Sequence, residues 1–125
     1  MKNIKTALKS TLIIDHEEFG NSYLKDIFQE HGLYLDIVSP HSDLLNILDN
    51  KKFDCLLLNS DLLNNLTDDI INKVKCFHPS VMVILLLKNP SYEKIFHFVR
   101  LGVDDFILKP YNWSDLEKLL THYYF

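Results

Sequence analysis

The sequence is poor in cysteine and glycine and contains no long apolar run. Cys55 and Cys76 are its 2 cysteines among 125 residues, which excludes a disulfide-stabilised scaffold and predicts a cytoplasmic location. With 3 glycines the chain has no glycine-rich loop of the kind that cradles phosphates. Its longest apolar run, residues 81–87, is too short to cross a bilayer, so no membrane span is expected.

Basic clusters are also missing. The formal net charge is −4 and no block of Lys or Arg occurs, so direct nucleic-acid binding is not expected. The 6 histidines are scattered, without the i,i+4 spacing of a helical metal site. Hydrophobic residues make up 47% and charged residues 24%, which is ordinary for a globular protein, and the length predicts a single domain over residues 1–125.

Short apolar runs alternate with segments of helical period. Five runs are predicted to be strands: 11–14, 34–38, 53–58, 81–87 and 105–108. Helices are predicted over 17–31, from Ser39-Pro40, over 67–77, from Asn89-Pro90 to Leu101, and from Asn112 or Ser114 onward. The alternation indicates an α/β fold, a flavodoxin-like (βα)5 sandwich whose doubly wound, five-stranded parallel sheet carries helices on both faces.

The apolar spacing also predicts which helix faces are buried. On the third helix we expect Phe77 to share the buried face with Ile70, Ile71 and Val74. On the fourth helix, one stripe that can be buried contains Tyr92, Ile95, Phe96 and Val99. Phe98 lies off this stripe and is expected to reach the surface.

Chemistry in such folds takes place beyond the carboxyl ends of the strands. The positions at the carboxyl ends of the predicted strands are 15–17, 59–61, 87–88 and 109–110. Acidic groups dominate the first of them and a lysine the last, so the sequence predicts a polar cluster at this edge of the sheet.

Two segments carry a family resemblance. Ile13-Ile14-Asp15-His16-Glu17 is a hydrophobic strand followed by an acidic cluster, and residues 102–110 read Gly-Val-Asp-Asp-Phe-Ile-Leu-Lys-Pro. Both resemble the response regulator receiver domain (CheY-like), and the resemblance covers nearly the whole chain. It implies a bacterial, cytoplasmic domain of two-component phosphorelay signalling that is not itself an enzyme.

The resemblance places Asn59 at the phosphoacceptor position, where the family carries an aspartate. An amide does not form the acyl phosphate that a carboxylate forms. Asp15 matches the first Mg²⁺ ligand of the family, while His16 stands where a second acid is common and Glu17 lies one residue further on. Asp61 matches the residue whose carbonyl coordinates the metal. The resemblance therefore implies at most weak Mg²⁺ binding, through Asp15, Asn59 and Asp61, and no other cofactor.

On the phosphate side, Lys109 matches the family's lysine and Pro110 the proline that follows it. Leu87 stands where the family carries a hydroxyl residue that binds the phosphoryl group. Phe106 matches the aromatic residue that changes rotamer on activation, although an aromatic residue in a strand is also ordinary core material.

These departures lead us to interpret the chain as a pseudo-receiver that acts through protein–protein contacts without phosphorylation. Its predicted interface, with a partner or in a homodimer, is the face of the fourth helix, fifth strand and fifth helix, including Ile95, Phe98 and Tyr123. One alternative is a receiver phosphorylated on a non-standard acid such as Asp61, with Mg²⁺. Another is a flavodoxin-like domain that binds a small ligand at the same strand ends.

Overall fold

A computed structural model describes residues 9–15, 26, 28–63, 65–109 and 113–124. Its strands are β1 (Lys9–Ile14), β2 (Leu33–Val38), β3 (Cys55–Asn59), β4 (Met82–Lys88) and β5 (Asp105–Lys109). They form one sheet in the order β2-β1-β3-β4-β5, and all neighbouring pairs are parallel. The prediction of a doubly wound, five-stranded parallel sheet is confirmed, with strand ends displaced by one or two residues.

The helices of the described part are α1 (Leu44–Asn50), α2 (Leu66–Phe77), α3 (Tyr92–Leu101) and α4 (Trp113–Tyr124), and Ser60–Leu62 form a short 3-10 helix. Residues 26 and 28–30 are also helical, but most of the helix predicted over 17–31 lies outside the described residues. Within the described ranges, no helix combines the length and apolarity needed to cross a lipid bilayer.

Two hydrophobic clusters cover the two faces of the sheet. One face packs against α1, α2 and α3 through residues such as Leu48, Ile70 and Phe98. The other packs against Phe28 and against Leu116 of α4. Because both faces are covered, the central strand β3 is buried along its whole length, which explains its unbroken apolar sequence.

Two helices, α1 and α3, begin later in the chain than predicted. Ser39 does not begin a helix, because its Oγ accepts the backbone N–H of His41 within a turn at 3.1 Å and α1 begins only at Leu44. Helix α3 begins at Tyr92, just after the predicted start at Asn89-Pro90, and Ser91 caps it, since its Oγ accepts the backbone N–H of Lys94 at 3.1 Å. Gly102 ends α3 as predicted, in a left-handed conformation with φ 104° that a residue with a Cβ rarely adopts.

Two predictions about buried faces are wrong. Phe77 is 67% exposed at the end of α2, although Ile70, Ile71 and Val74 are buried as expected. On α3 the burial is the reverse of the prediction, since Phe98 is 4% exposed whereas Phe96 is 59% exposed. The helix is therefore rotated so that its second apolar stripe faces the sheet.

Candidate functional site at the carboxyl ends of the strands

The parallel sheet brings the predicted polar positions to one edge. Asp15 directly follows β1, Asn59 ends β3, and Lys88 and Lys109 end the paired strands β4 and β5. Asp15 and Asn59 are 44 residues apart in sequence, and Asn59 and Lys109 are 50 apart, yet each pair is in direct contact. The topology of the sheet, and not any local motif, assembles this site.

The Asn59 amide bridges a carboxylate and an ammonium group. Its Nδ2 donates a hydrogen bond to Asp15 Oδ1 at 3.2 Å, and its Oδ1 accepts one from Lys109 Nζ at 2.5 Å. The chemistry of the partners fixes the orientation of the amide, because a carboxylate needs a donor and an ammonium needs an acceptor. Asp15 is 4% exposed and Asn59 7% exposed, so these bonds lie in a poorly hydrated environment where they are strengthened.

Asp61 provides a second acceptor for Lys109. The 3-10 helix after β3 positions the Asp61 carboxylate 2.8 Å from Lys109 Nζ, and the same Oδ2 accepts the backbone N–H of Lys88 at 3.1 Å. The result is a continuous network from Asp15 through Asn59, Lys109 and Asp61 to the end of β4. The sequence placed Asp61 in the acidic pocket, through its backbone carbonyl or as an alternative phosphoacceptor. The contact of its side chain with Lys109 was missed, because a 3-10 turn after the strand leaves no distinct sequence signal.

In this arrangement the side chains do not fit Mg²⁺. Asn59 Oδ1 and Asp61 Oδ2 both accept hydrogen bonds from Lys109, and the Asn59 NH₂ group, not an oxygen, faces Asp15. Mg²⁺ requires oxygen ligands in near-octahedral geometry. Among the residues that the structure describes, no group of three His, Cys, Asp or Glu side chains could hold a metal ion. His16 and Glu17 lie outside the described residues.

The two positions that the resemblance assigns to phosphate binding and switching, Leu87 and Phe106, are apolar and packed against the core. Leu87 is 1% exposed and lies in the cluster that covers the α1–α3 face of the sheet. Phe106 is half-buried and packs against the same cluster. Both side chains are therefore hydrocarbon groups packed against the core on this face of the sheet. Pro110 lies outside the described residues.

The predicted interface needs correction at one position. Phe98 is buried in the core, so its ring cannot face a partner, while Ile95 packs against the core and stays partly exposed. The side chain of Tyr123 lies outside the described residues. Exposed apolar residues nevertheless occur on these elements, and we call them together the α3–β5 patch. They are Tyr92, Phe96 and Val99 of α3 and Leu108 of β5, with exposures of 85%, 59%, 52% and 56%.

Comparison with known proteins identifies the family. The model of the response regulator receiver domain matches residues 11–121. The regulatory protein LuxO of Vibrio vulnificus is 29% identical over 79 residues, which cover 63% of this chain and 17% of LuxO. A putative NtrX-like response regulator of Rickettsia bellii is 26% identical over 116 residues, which cover 91% of this chain and 24% of that protein.

Among solved structures, a CheY-like receiver domain protein of Methanospirillum hungatei shares the fold, with a TM-score of 0.77 and 23% identity. The match covers 93% of each chain. The curated relatives are much longer than the part of them that this chain matches, so the likeness concerns their receiver region alone. With its parallel sheet, its acidic and lysine-bearing strand ends and the family match over residues 11–121, the chain belongs to the response regulator receiver domain family of two-component signalling.

Proposed function

We propose that this receiver domain signals without being phosphorylated at the usual position, as a regulatory module rather than an enzyme. The observation that carries the proposal is the Asn59 amide, which bonds Asp15 and Lys109 at once. A receiver whose acceptor position is an amide cannot form an acyl phosphate there. In this domain the amide also stabilises the pocket in one closed arrangement.

The charges of the pocket support this proposal. A carboxylate in place of the Asn59 amide would put an oxygen near Asp15 Oδ1, where the Asn59 nitrogen is now 3.2 Å away. Two like unit charges at such a distance repel by about 5 kcal/mol even at the intermediate dielectric constant of a protein surface. Receivers with several carboxylates balance this repulsion with a divalent cation. The neutral amide removes the repulsion, so we propose that the domain needs neither Mg²⁺ nor another cofactor.

The packing of Leu87 supports it independently. A phosphoryl group on this edge of the sheet would find no hydroxyl donor at position 87, because that side chain is a leucine buried in the core. Phe106 packs against the same cluster. We infer that the coupling between phosphate and the α3–β5 side of the domain is absent, and that the output surface has a single resting state.

The α3–β5 patch is the proposed output surface. Its four exposed apolar side chains lie on neighbouring elements, and such patches mark protein contacts more often than chance exposure does. We propose that a partner protein or a second copy of this domain covers it in the cytoplasm. Direct nucleic-acid binding is not part of the proposal, because the chain has no cluster of Lys or Arg, and no membrane span is proposed either.

Intact-mass measurement after incubation with acetyl phosphate and Mg²⁺ tests the proposal. We expect no phosphoryl adduct on the natural protein and an adduct on the Asn59→Asp variant, because Asp15 and Lys109 remain in place. An adduct on the natural protein would contradict the proposal. The Asp61→Asn variant then decides whether Asp61, whose carboxylate is bonded to Lys109, is the acceptor.

The small-ligand alternative is tested on the same sample. A flavin or another bound chromophore would give the purified protein an absorption band beyond that of its aromatic residues. We expect none, since no glycine-rich phosphate loop follows β1 in the sequence.

A further inference from the structure

A groove lies at the edge of the sheet opposite the Asn59 network. It is formed by residues 49–53, which connect α1 to β3, and by residues 77–81, which connect α2 to β4. Its volume is about 450 Å³, within the range of sites that enclose a large side chain or a small molecule. We call it the basal groove. None of its lining residues takes part in the network at the carboxyl ends of the strands.

Rings line the basal groove. Phe53, Phe77, His78 and Pro79 contribute to its walls. The ring centroids of Phe53 and His78 are 6.2 Å apart and their planes are tilted by 48°, so the two rings are in contact in a tilted arrangement. Phe77 is 67% exposed although it ends an amphipathic helix, and Lys73 Nζ lies 5.5 Å from its ring centroid. This cation–π contact places the exposed Phe77 ring beside the groove.

The charged groups around the groove are unevenly paired. Lys73 binds Asp49 at 2.9 Å, and Lys51 binds Asp36 of β2. Lys52 lines the groove, is exposed, and has no acceptor within the described part of the chain. Although the net charge of the protein is −4, the basal groove therefore carries an ammonium group that is unpaired within the described residues, that of Lys52, next to aromatic rings.

The end of α2 adds hydrogen-bond acceptors. The last carbonyl groups of a helix have no partner within it and point along its axis beyond the final turn. In α2 the backbone N–H of His78 bonds the first of them, that of Val74, at 2.7 Å, so the acceptors at this end are the carbonyls of the final residues. Helix α2 ends at Phe77, inside the lining of the groove. A ring that carries a donor, such as the indole N–H of tryptophan or the phenol O–H of tyrosine, suits this position better than phenylalanine does.

We propose that the basal groove binds a segment of a partner protein in which a Trp or Tyr stands next to an Asp or Glu. The aromatic side chain enters between Phe53 and Phe77, and the neighbouring carboxylate pairs with Lys52. Charge complementarity selects this occupant, because Lys52 is the group left without a counter-ion. The proposal does not depend on the state of Asn59, so it stands or falls separately from the proposed function.

The first test is a titration of the isotope-labelled domain, followed by amide chemical shifts, with the peptide acetyl-Asp-Trp-Asp-amide. The matched control is acetyl-Lys-Trp-Lys-amide, which keeps the indole and reverses the charge. We expect saturable shifts at residues 49–53 and 77–81, and about tenfold weaker binding of the control peptide. Absent saturation, equal affinity for the two peptides, or shifts confined to the α3–β5 patch would overturn the proposal.

Two surface variants make the test specific. Lys52→Glu and Phe77→Ser are each expected to weaken binding of the acidic peptide about tenfold, since both side chains are exposed and their replacement leaves the core intact. The control is Lys118→Glu, an equivalent charge reversal at an exposed position of α4. We expect this variant to bind the acidic peptide as the natural protein does. Unchanged binding in both groove variants would refute the assignment, and groove shifts on simple dilution would identify a second copy as the occupant instead.

Discussion

At the scale of single residues, Asn59 has an NH₂ group where an aspartate has an oxygen, and this NH₂ group donates a hydrogen bond to Asp15. Its NH₂ group contacts a buried carboxylate, while its oxygen contacts an ammonium group. Exchanging the amide for a carboxylate keeps the size of the side chain and replaces an attraction to Asp15 with a repulsion. The attraction to Lys109 becomes stronger at the same time and offsets part of the loss.

We therefore expect Asn59→Asp to lower the free energy of unfolding by about 1–3 kcal/mol in the absence of divalent ions, because a buried hydrogen bond is lost and like charges are opposed. Millimolar Mg²⁺ should recover much of this loss in the variant and leave the natural protein unchanged. Urea denaturation with Mg²⁺ or with a chelator measures both effects. The control is Asn72→Asp, which adds the same charge at an exposed position of α2; equal responses in the two variants would contradict the account.

Some residues of the site could be predicted from the sequence and others could not. Asp15, Asn59 and Lys109 could be found because each follows or ends a recognisable apolar strand, and the structure brings them into contact. The contribution of the Asp61 side chain could not be found, since it depends on the 3-10 turn that directs the carboxylate toward Lys109. The metal-binding and switching roles of these residues stay predictions.

At the scale of the elements, α3 contains two apolar stripes of similar length. Tyr92, Phe96 and Val99 form one, which is exposed, while Ile95 and Phe98, on the other, pack against the core. The sequence predicted Ile95 on the first stripe and burial there, because helical periodicity alone fits both rotations. The structure selects the second, and this fixes Phe98 in the core beneath α3. Tertiary packing decides the rotation of such a helix because both choices bury aromatic area.

The two phenylalanines of α3 give a matched pair for this assignment. Phe98→Ala should destabilise the domain by about 3–5 kcal/mol, because it leaves a cavity in a close-packed core. Phe96→Ala should change the free energy of unfolding by less than about 0.5 kcal/mol, since that ring is mostly in water. Chemical denaturation of both variants measures the difference. Equal losses would show that the helix is rotated toward the other stripe.

Helix starts are the other element-scale feature that the sequence did not determine. Ser39 and Ser91 both have the chemistry of a capping residue, but only Ser91 caps a helix. Ser39 instead accepts a hydrogen bond from a residue two positions later, which closes a turn. The same side chain can satisfy a turn or a helix terminus, and the choice depends on where the following apolar residues must reach the sheet.

At the scale of the whole molecule, the α/β architecture was predictable because the period of the apolar residues changes repeatedly between strand and helix. Strands β3 and β4 lack the alternation of apolar and polar residues because both of their faces are buried, and in the structure both are interior strands of the sheet. The α3–β5 patch was predictable as a location but not in its residues, because the rotation of α3 exchanges exposed and buried rings.

If a second copy covers the α3–β5 patch, the natural protein should sediment as a dimer and Phe96→Glu should shift it to a monomer. Introducing a charge into a desolvated apolar contact is strongly unfavourable, whereas the exposed position itself tolerates the change. Tyr34→Glu is the control, since Tyr34 is equally exposed, at 59%, on the opposite edge strand. A monomeric natural protein would exclude the homodimer, and a dimer unaffected by Phe96→Glu would place its contact elsewhere.

The all-parallel sheet also has a kinetic consequence. None of its strand pairs can form as a local hairpin, because each requires a crossover through intervening chain. The Asn59 contacts join segments 44 and 50 residues apart, so they can close only after several non-local pairings are in place. Chains dominated by distant contacts refold slowly. Formation of the Asp15–Asn59–Lys109 network therefore reports the completion of folding, and the polar pocket is among the last features of the domain to form.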